Sequence, residues 1–289
     1  MAIPATPTAS AQCRPRHLVD LPVNLAQGLP LVLVSSGRRG MTLILDTGAE
    51  QSILSRTVVE RLGLQPYRAY QRTMRGPSGS VGAETVDLPL AAGGIPLPNH
   101  GVLVGSLSLP TLGETEPPDG LLGADLLSNF EVDLDLPHGL LHLYEKPACE
   151  ITAPAWALRY EVIPANRSLH DHLFFKLILD GTSLAAFFDS GTQHSLVDER
   201  SARQVGVDDT VLGQDPASTV RGINAATAPA HIHRFVKLIV GGEALAHPEL
   251  VVTKLGLNDA DVILGTDYLR SHRVWLSYGS HQVFIQTGP

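Results

Sequence analysis

Two stretches of this chain, 143 positions apart, carry nearly the same pattern. Residues 43–54 read L-I-L-D-T-G-A-E-Q-S-I-L, and residues 186–197 read A-F-F-D-S-G-T-Q-H-S-L-V. Each runs from an apolar stretch into Asp, a small hydroxyl residue and Gly, and then through polar residues to Ser and two apolar positions. The likeness continues downstream in register. Leu54–Leu64 answers Val197–Val207; each reads as a short helix, with Ser55 or Asp198 as N-cap and Gly63 or Gly206 as its stop. Thr73-Met74-Arg75-Gly76 answers Thr219-Val220-Arg221-Gly222. Gly120-Leu121-Leu122-Gly123-Ala124-Asp125 answers Val262-Ile263-Leu264-Gly265-Thr266-Asp267. Both copies close on a strand pair. Four blocks in one order with conserved spacing mark an internal duplication, and a repeat of this kind decides the architecture before any local propensity does.

The reading that follows is an N-terminal arm (1–19), one lobe (20–147), a Pro-containing linker (148–159) and a second lobe (160–289). Within each lobe, short apolar or alternating runs recur: Leu31–Val34, Leu43–Leu45, Val102–Val104, Phe174–Leu179 and Phe235–Val240. Gly and Asp turns such as Asp180-Gly181 and Gly241-Gly242 bound them. This pattern predicts an all-β protein with one or two short helices per lobe. Asp125 and Asp267, a further matched pair, read as anchors of the short helices that follow.

Composition removes several classes of function. Net charge is −8 with no dense basic run, so nucleic acid is not expected as a partner. No apolar run approaches the ~20 residues of a membrane helix. Cys13 and Cys149 are too few for an all-cysteine metal site; one disulfide tying the arm to the linker and two free thiols are both open. His170-Asp171-His172 and His231-Ile232-His233 have the alternate spacing of strand metal ligands. In a chain with 12 histidines such pairs are expected by composition alone, and no metal or cofactor is assigned. Ala9-Ser10-Ala11 resembles the tail of an export-signal cleavage site without the apolar region before it, so a periplasmic or secreted location and a cytoplasmic one both stand.

A single Asp-Thr-Gly is ordinary turn chemistry. Two at equivalent places in duplicated lobes are another matter, because a pseudo-two-fold axis would bring Asp46 and Asp189 together. Two carboxylates in contact hold one proton between them, which gives an acid and a base in one site.

The D-T-G-A and D-S-G-T turns resemble the active-site triplets of aspartic peptidases. Leu121-Leu122-Gly123 and Ile263-Leu264-Gly265 resemble that family's hydrophobic-hydrophobic-Gly motif. The repeat unit is similar to retropepsin-like domains of the bacterial type, here two fused in one chain as pepsin-like enzymes fuse theirs. The resemblance implies two β-barrel lobes with the active-site cleft between them, and an aspartic endopeptidase working as a monomer on peptide or protein substrates. Asp46 and Asp189 would activate water. Thr47 and Ser190 would interlock the two loops. Gly48, Ala49, Gly191 and Thr192 would support the dyad, and Arg75, Gly76, Gly79, Arg221 and Gly222 would belong to substrate-covering flaps. The alternative is a catalytically silent peptide-binding or scaffold protein on the same fold. Ala49 beside one aspartate and Thr192 beside the other predict an unequal pair: a Thr192 hydroxyl bonded to Asp189 would make Asp189 the more readily ionised.

Overall fold

The structure, a computed structural model, describes residues 13–76, 79–98, 101–110, 116–151, 153–156, 159–222, 227–257 and 259–287; for 68–76 and 79–83 it describes the backbone only. The chain is mostly β, with short helices, and the duplication is visible strand by strand. In the first lobe Leu29–Ser36 pairs antiparallel with Arg39–Leu45; Gly120–Leu122 then lies parallel to Arg39–Leu45 and antiparallel to Ile53–Ser55. In the second, Leu173–Leu179 pairs with Thr182–Phe188, and Val262–Leu264 lies parallel to Thr182–Phe188 and antiparallel to Leu196–Asp198. Alternation drives the outer strands: Leu173, Phe175, Leu177 and Leu179 are buried while Lys176 and Ile178 between them are exposed. Asp180 and Gly181 both take positive φ, as a two-residue hairpin turn matched to strand twist demands.

The predicted helices form where their caps stand. Arg56–Arg61 starts at Ser55, whose hydroxyl accepts the Val58 N–H, and Glu199–Gln204 starts at Asp198, which accepts the Arg200 N–H. Gly63 and Gly206 follow in the left-handed conformation that ends a helix. The second lobe adds a helix, Asp209–Leu212, capped by Asp208.

The lobes are joined by a shared sheet that sequence reading did not foresee. Phe130–Asp135 of the first lobe pairs antiparallel with Val274–Ser277 of the second, Asp133 facing Trp275. Leu140–Glu145 and then His17–Ala26 extend this sheet on one side; Gln282–Gln286 and then Tyr160–Pro164 extend it on the other. Phe130–Asp135 is buried along its whole length although it carries Glu131, Asp133 and Asp135. Each acid has a partner. Arg273 grips both oxygens of Asp133 at 2.9 and 2.7 Å and reaches Asp135 at 3.1 Å; the Trp156 indole donates to Asp133 and the Trp275 indole to Glu131. Buried charge is tolerated only when paired in this way. Cys13 and Cys149 form a disulfide with Cα atoms 5.9 Å apart, which closes the arm onto the segment after the first lobe, beside the Tyr144–Ile151–Trp275–Phe284 cluster.

Candidate active site

Arg39–Leu45 and Thr182–Phe188 each become fully buried over their last three residues, and each delivers an aspartate at its end. The Asp46 N–H still donates to the Leu122 carbonyl at 3.0 Å, and the Asp189 N–H to Leu264 at 2.9 Å. The hydrophobic-hydrophobic-Gly segments therefore set the height of each aspartate. They are pinned in turn by a serine and an acid: Gly123 donates to the Ser52 hydroxyl, which donates to Asp125 at 2.7 Å, and Gly265, Ser195 and Asp267 repeat the arrangement, again at 2.7 Å. Asp125 and Asp267 thus hold the frame of the aspartate loops and also accept the Leu126 and Tyr268 N–H groups of the short helices.

Across the pseudo-axis the two turns lock. The Thr47 hydroxyl donates to the Phe188 carbonyl at 2.8 Å and accepts the Ser190 N–H at 3.0 Å. The Ser190 hydroxyl donates to the Leu45 carbonyl at 2.7 Å and accepts the Thr47 N–H at 3.1 Å. Both residues are buried, so all four bonds are shielded from water. Each glycine lies against the other lobe's acid: a Cβ on Gly48 would stand 2.2 Å from the Asp189 carboxyl carbon, and one on Gly191 would stand 2.3 Å from that of Asp46. No side chain larger than hydrogen fits either place.

Asp46 and Asp189 are hydrogen-bonded to each other. Asp46 also accepts the N–H groups of Gly48 and Ala49 at 3.1 and 2.8 Å, and Asp189 accepts that of Gly191 at 2.8 Å. Burial, the Asp189 charge and their shared hydrogen bond push Asp46 well above the ordinary carboxylate range. Burial raises Asp189 too, but the Gly191 N–H, the bond from Asp46, the His172 ring and the Thr192 N–H all hold it down. Both carboxyls are thus pushed upward, and the larger share of the interactions that favour a charged form falls on Asp189. The cause differs from the sequence expectation. Thr192 acts through its N–H; among the described residues its hydroxyl makes no bond to Asp189.

His172 is the contributor that sequence reasoning missed. It stacks on Phe187 with centroids 4.9 Å apart and reaches the Gly48 backbone of the opposite lobe. His170, beside it, pairs with Glu50 across the lobes at 3.2 Å. The repeat itself could have exposed this, because the position equivalent to His172 is Leu29 and that equivalent to Glu50 is Gln193. Asp171 turns away to Arg167, and His233 pairs with Asp215 at 2.7 Å.

The flap segments form one hairpin per lobe. Tyr67–Gly76 pairs with Gly79–Val86, ending on Gly76 opposite Gly79, and Ala217–Arg221 pairs with Thr227–Arg234. The intervening residues, 77–78 and 223–226, lie outside the described residues, as does the Arg75 side chain. Gly222 directly follows its strand, and Arg221 donates to the Ser108 hydroxyl of the first lobe at 3.0 Å. Two small apolar clusters complete the symmetry: Leu29, Ile44, Ile53, Leu103 and Leu121 in the first lobe, and Phe187, Leu196, Ala230, Val251, Ala260 and Ile263 in the second. Ile44 and Phe187 stand two residues before the aspartates and so share their face of the strand.

This fold and these paired loops define an aspartic protease architecture, and comparison with known proteins agrees. Models of the aspartyl protease family match residues 32–126 and residues 167–277. The chain belongs to that family and carries two of its domains in tandem. Among solved structures it is similar to the aspartic proteinase from Irpex lacteus, with 14% sequence identity, a TM-score of 0.58, and coverage of 93% of this chain and 97% of that one. No curated protein sequence matches it. No helix among the described residues is long and apolar enough to cross a membrane.

Proposed function

We propose that this protein is an aspartic endopeptidase whose catalytic residues are Asp46 and Asp189. The observation that carries this is the buried, hydrogen-bonded carboxylate pair held by the Thr47–Ser190 lock, with both carboxyls pushed above their ordinary range by burial. A water between the carboxyls would attack the scissile carbonyl carbon as Asp189 takes one of its protons and Asp46 gives its proton to the carbonyl oxygen. Collapse of the resulting gem-diol would break the C–N bond; the amine nitrogen takes the proton from Asp189, and a gem-diol hydroxyl returns one to Asp46. The cycle restores the starting protonation and needs no covalent intermediate. The apolar clusters on both sides of the pair suit a substrate with apolar residues flanking the cleaved bond. Because one chain supplies both halves of the site, a monomer suffices; activity confined to a species of twice the chain mass on gel filtration would overturn that part. The Cys13–Cys149 disulfide supports an oxidising, exported location, read out by resistance of the native protein to thiol alkylation.

The test is cleavage of a peptide library from acidic to neutral pH by the wild type and by the Asp46→Asn/Asp189→Asn double variant. Cleavage by the wild type alone supports the reading. Binding without cleavage by both proteins would establish the silent peptide-binding alternative.

A further inference from the structure

On the shared sheet, where His17–Ala26 pairs with Leu140–Glu145, two histidines converge on one carboxylate. His17 Nε2 lies 2.5 Å and His142 Nδ1 lies 2.6 Å from the same oxygen of Asp20. The three ligand atoms are all within 4.8 Å of one another. We propose that His17, Asp20 and His142 form a binding site for a divalent transition-metal ion of the zinc class.

A strand irregularity builds the cluster. Residues three apart on a regular strand point to opposite faces. Between His17 and Val19 the pairing slips: His17 faces Tyr144, while Val19 faces Leu143 and Asp20 faces His142. The extra residue, Leu18, turns His17 onto the face that Asp20 and His142 already share. Re-aiming one side chain is what a bulge does. His17 is then braced edge-on against the Tyr144 ring, with centroids 5.2 Å apart.

The second nitrogen of His142 supplies an independent sign. Nε2 is buried, has no hydrogen-bond partner, and lies 3.8 Å from the Asp135 carboxylate. Asp135 is itself fixed by His138 at 2.6 Å and by Arg273 at 3.1 Å. If a neutral His142 donated from Nδ1 to Asp20, its Nε2 lone pair would face that carboxylate, which is repulsive. With a cation on Nδ1, the proton sits on Nε2 and points at Asp135. An outer carboxylate behind a ligating imidazole is the usual arrangement around protein-bound zinc. Two imidazoles and one carboxylate suit zinc rather than calcium or magnesium, and an exposed third side leaves room for water. The ion would clasp His17–Ala26 to Leu140–Glu145, and His17 lies four residues after Cys13, so this part of the chain would be held by both a metal and a disulfide. The site is remote in sequence from both aspartate loops and owes nothing to the peptidase reading.

The experiment is calorimetric titration of the chelator-stripped full chain with zinc, paired with thermal melting. The result expected is one saturable equivalent and a melting temperature that rises with zinc concentration. His17→Gln and His142→Gln should each weaken binding by at least ~10-fold. Asp46→Asn/Asp189→Asn should bind as the wild type does. His17 is exposed, so its variant keeps the test valid even if His142→Gln fails to fold. Wild type without saturable binding would overturn the proposal. Undiminished binding by His17→Gln would also overturn it, by placing the ion on other histidines.

Discussion

At the aspartate pair the two lobes reach across to each other with the same backbone and different chemistry. The first lobe approaches the second through Gln27 and Gly28, whose carbonyls accept from the Gln193 amide and the Thr266 hydroxyl. The second approaches the first through His170 and His172, which meet Glu50 and the Gly48 backbone. One contact is neutral and the other titrates. The duplication has kept the lock and its supporting frame in matched pairs: Thr47 with Ser190, Gly48 with Gly191, Ser52 and Asp125 with Ser195 and Asp267. It has let the side chains that bias the proton diverge. Symmetric restraint sets where the carboxyls are, and asymmetric surroundings bias how they share a proton.

The largest effects should come from the shared frame and fall equally on both lobes. Gly48→Ala and Gly191→Ala each drive a methyl into the opposite carboxylate, and each should lower kcat/KM by ~100-fold or more. A difference of more than tenfold between them would show that the frame is not symmetric. Thr47→Val and Ser190→Ala each strand buried backbone groups of the opposite lobe and should each cost about 1–3 kcal/mol in chemical denaturation. Their double variant should cost less than the sum, because they break one network.

Smaller effects should come from the divergent side chains and fall on one lobe only. His172→Leu gives the second lobe the first lobe's side chain. Burial holds the His172 imidazole below its ordinary value, while Asp189, Glu50 and the Gly48 backbone favour its charged form and His170 opposes it. It therefore charges only on the acid side, where it stabilises ionised Asp189. Its removal should move the acidic limb of the pH–rate profile upward and leave the neutral-pH rate nearly unchanged; an unmoved limb would remove His172 from the account. Thr192→Ala should change least, since the N–H that reaches Asp189 survives the substitution.

Much of this was legible before the structure. The repeat gave the lobes, the aspartates and the loop lock, because residue identity at fixed spacing carries that information. Ser55 and Asp198 announced their helices because capping is local chemistry. The shared sheet was not legible. E-V-D-L-D over 131–135 alternates like a strand with one wet face, and only the arrival of Arg273, Trp156 and Trp275 from far along the chain dries that face. The Cys13–Cys149 bond stayed open for the same reason, since spacing in sequence does not fix Cα separation. His172 read as one member of a histidine pair until its place opposite Leu29 in the repeat put it beside the opposing aspartate loop.

The central claim is that one site is assembled from both lobes, and the direct measurement is kcat/KM of Asp46→Asn and Asp189→Asn, alone and combined, on one cleaved peptide. Each single variant is expected to lose on the order of 10³-fold or more, and the double variant no more than the worse single, because the carboxyls act as a unit. Either single variant keeping activity near wild type, or losses that multiply in the double, would contradict a shared site.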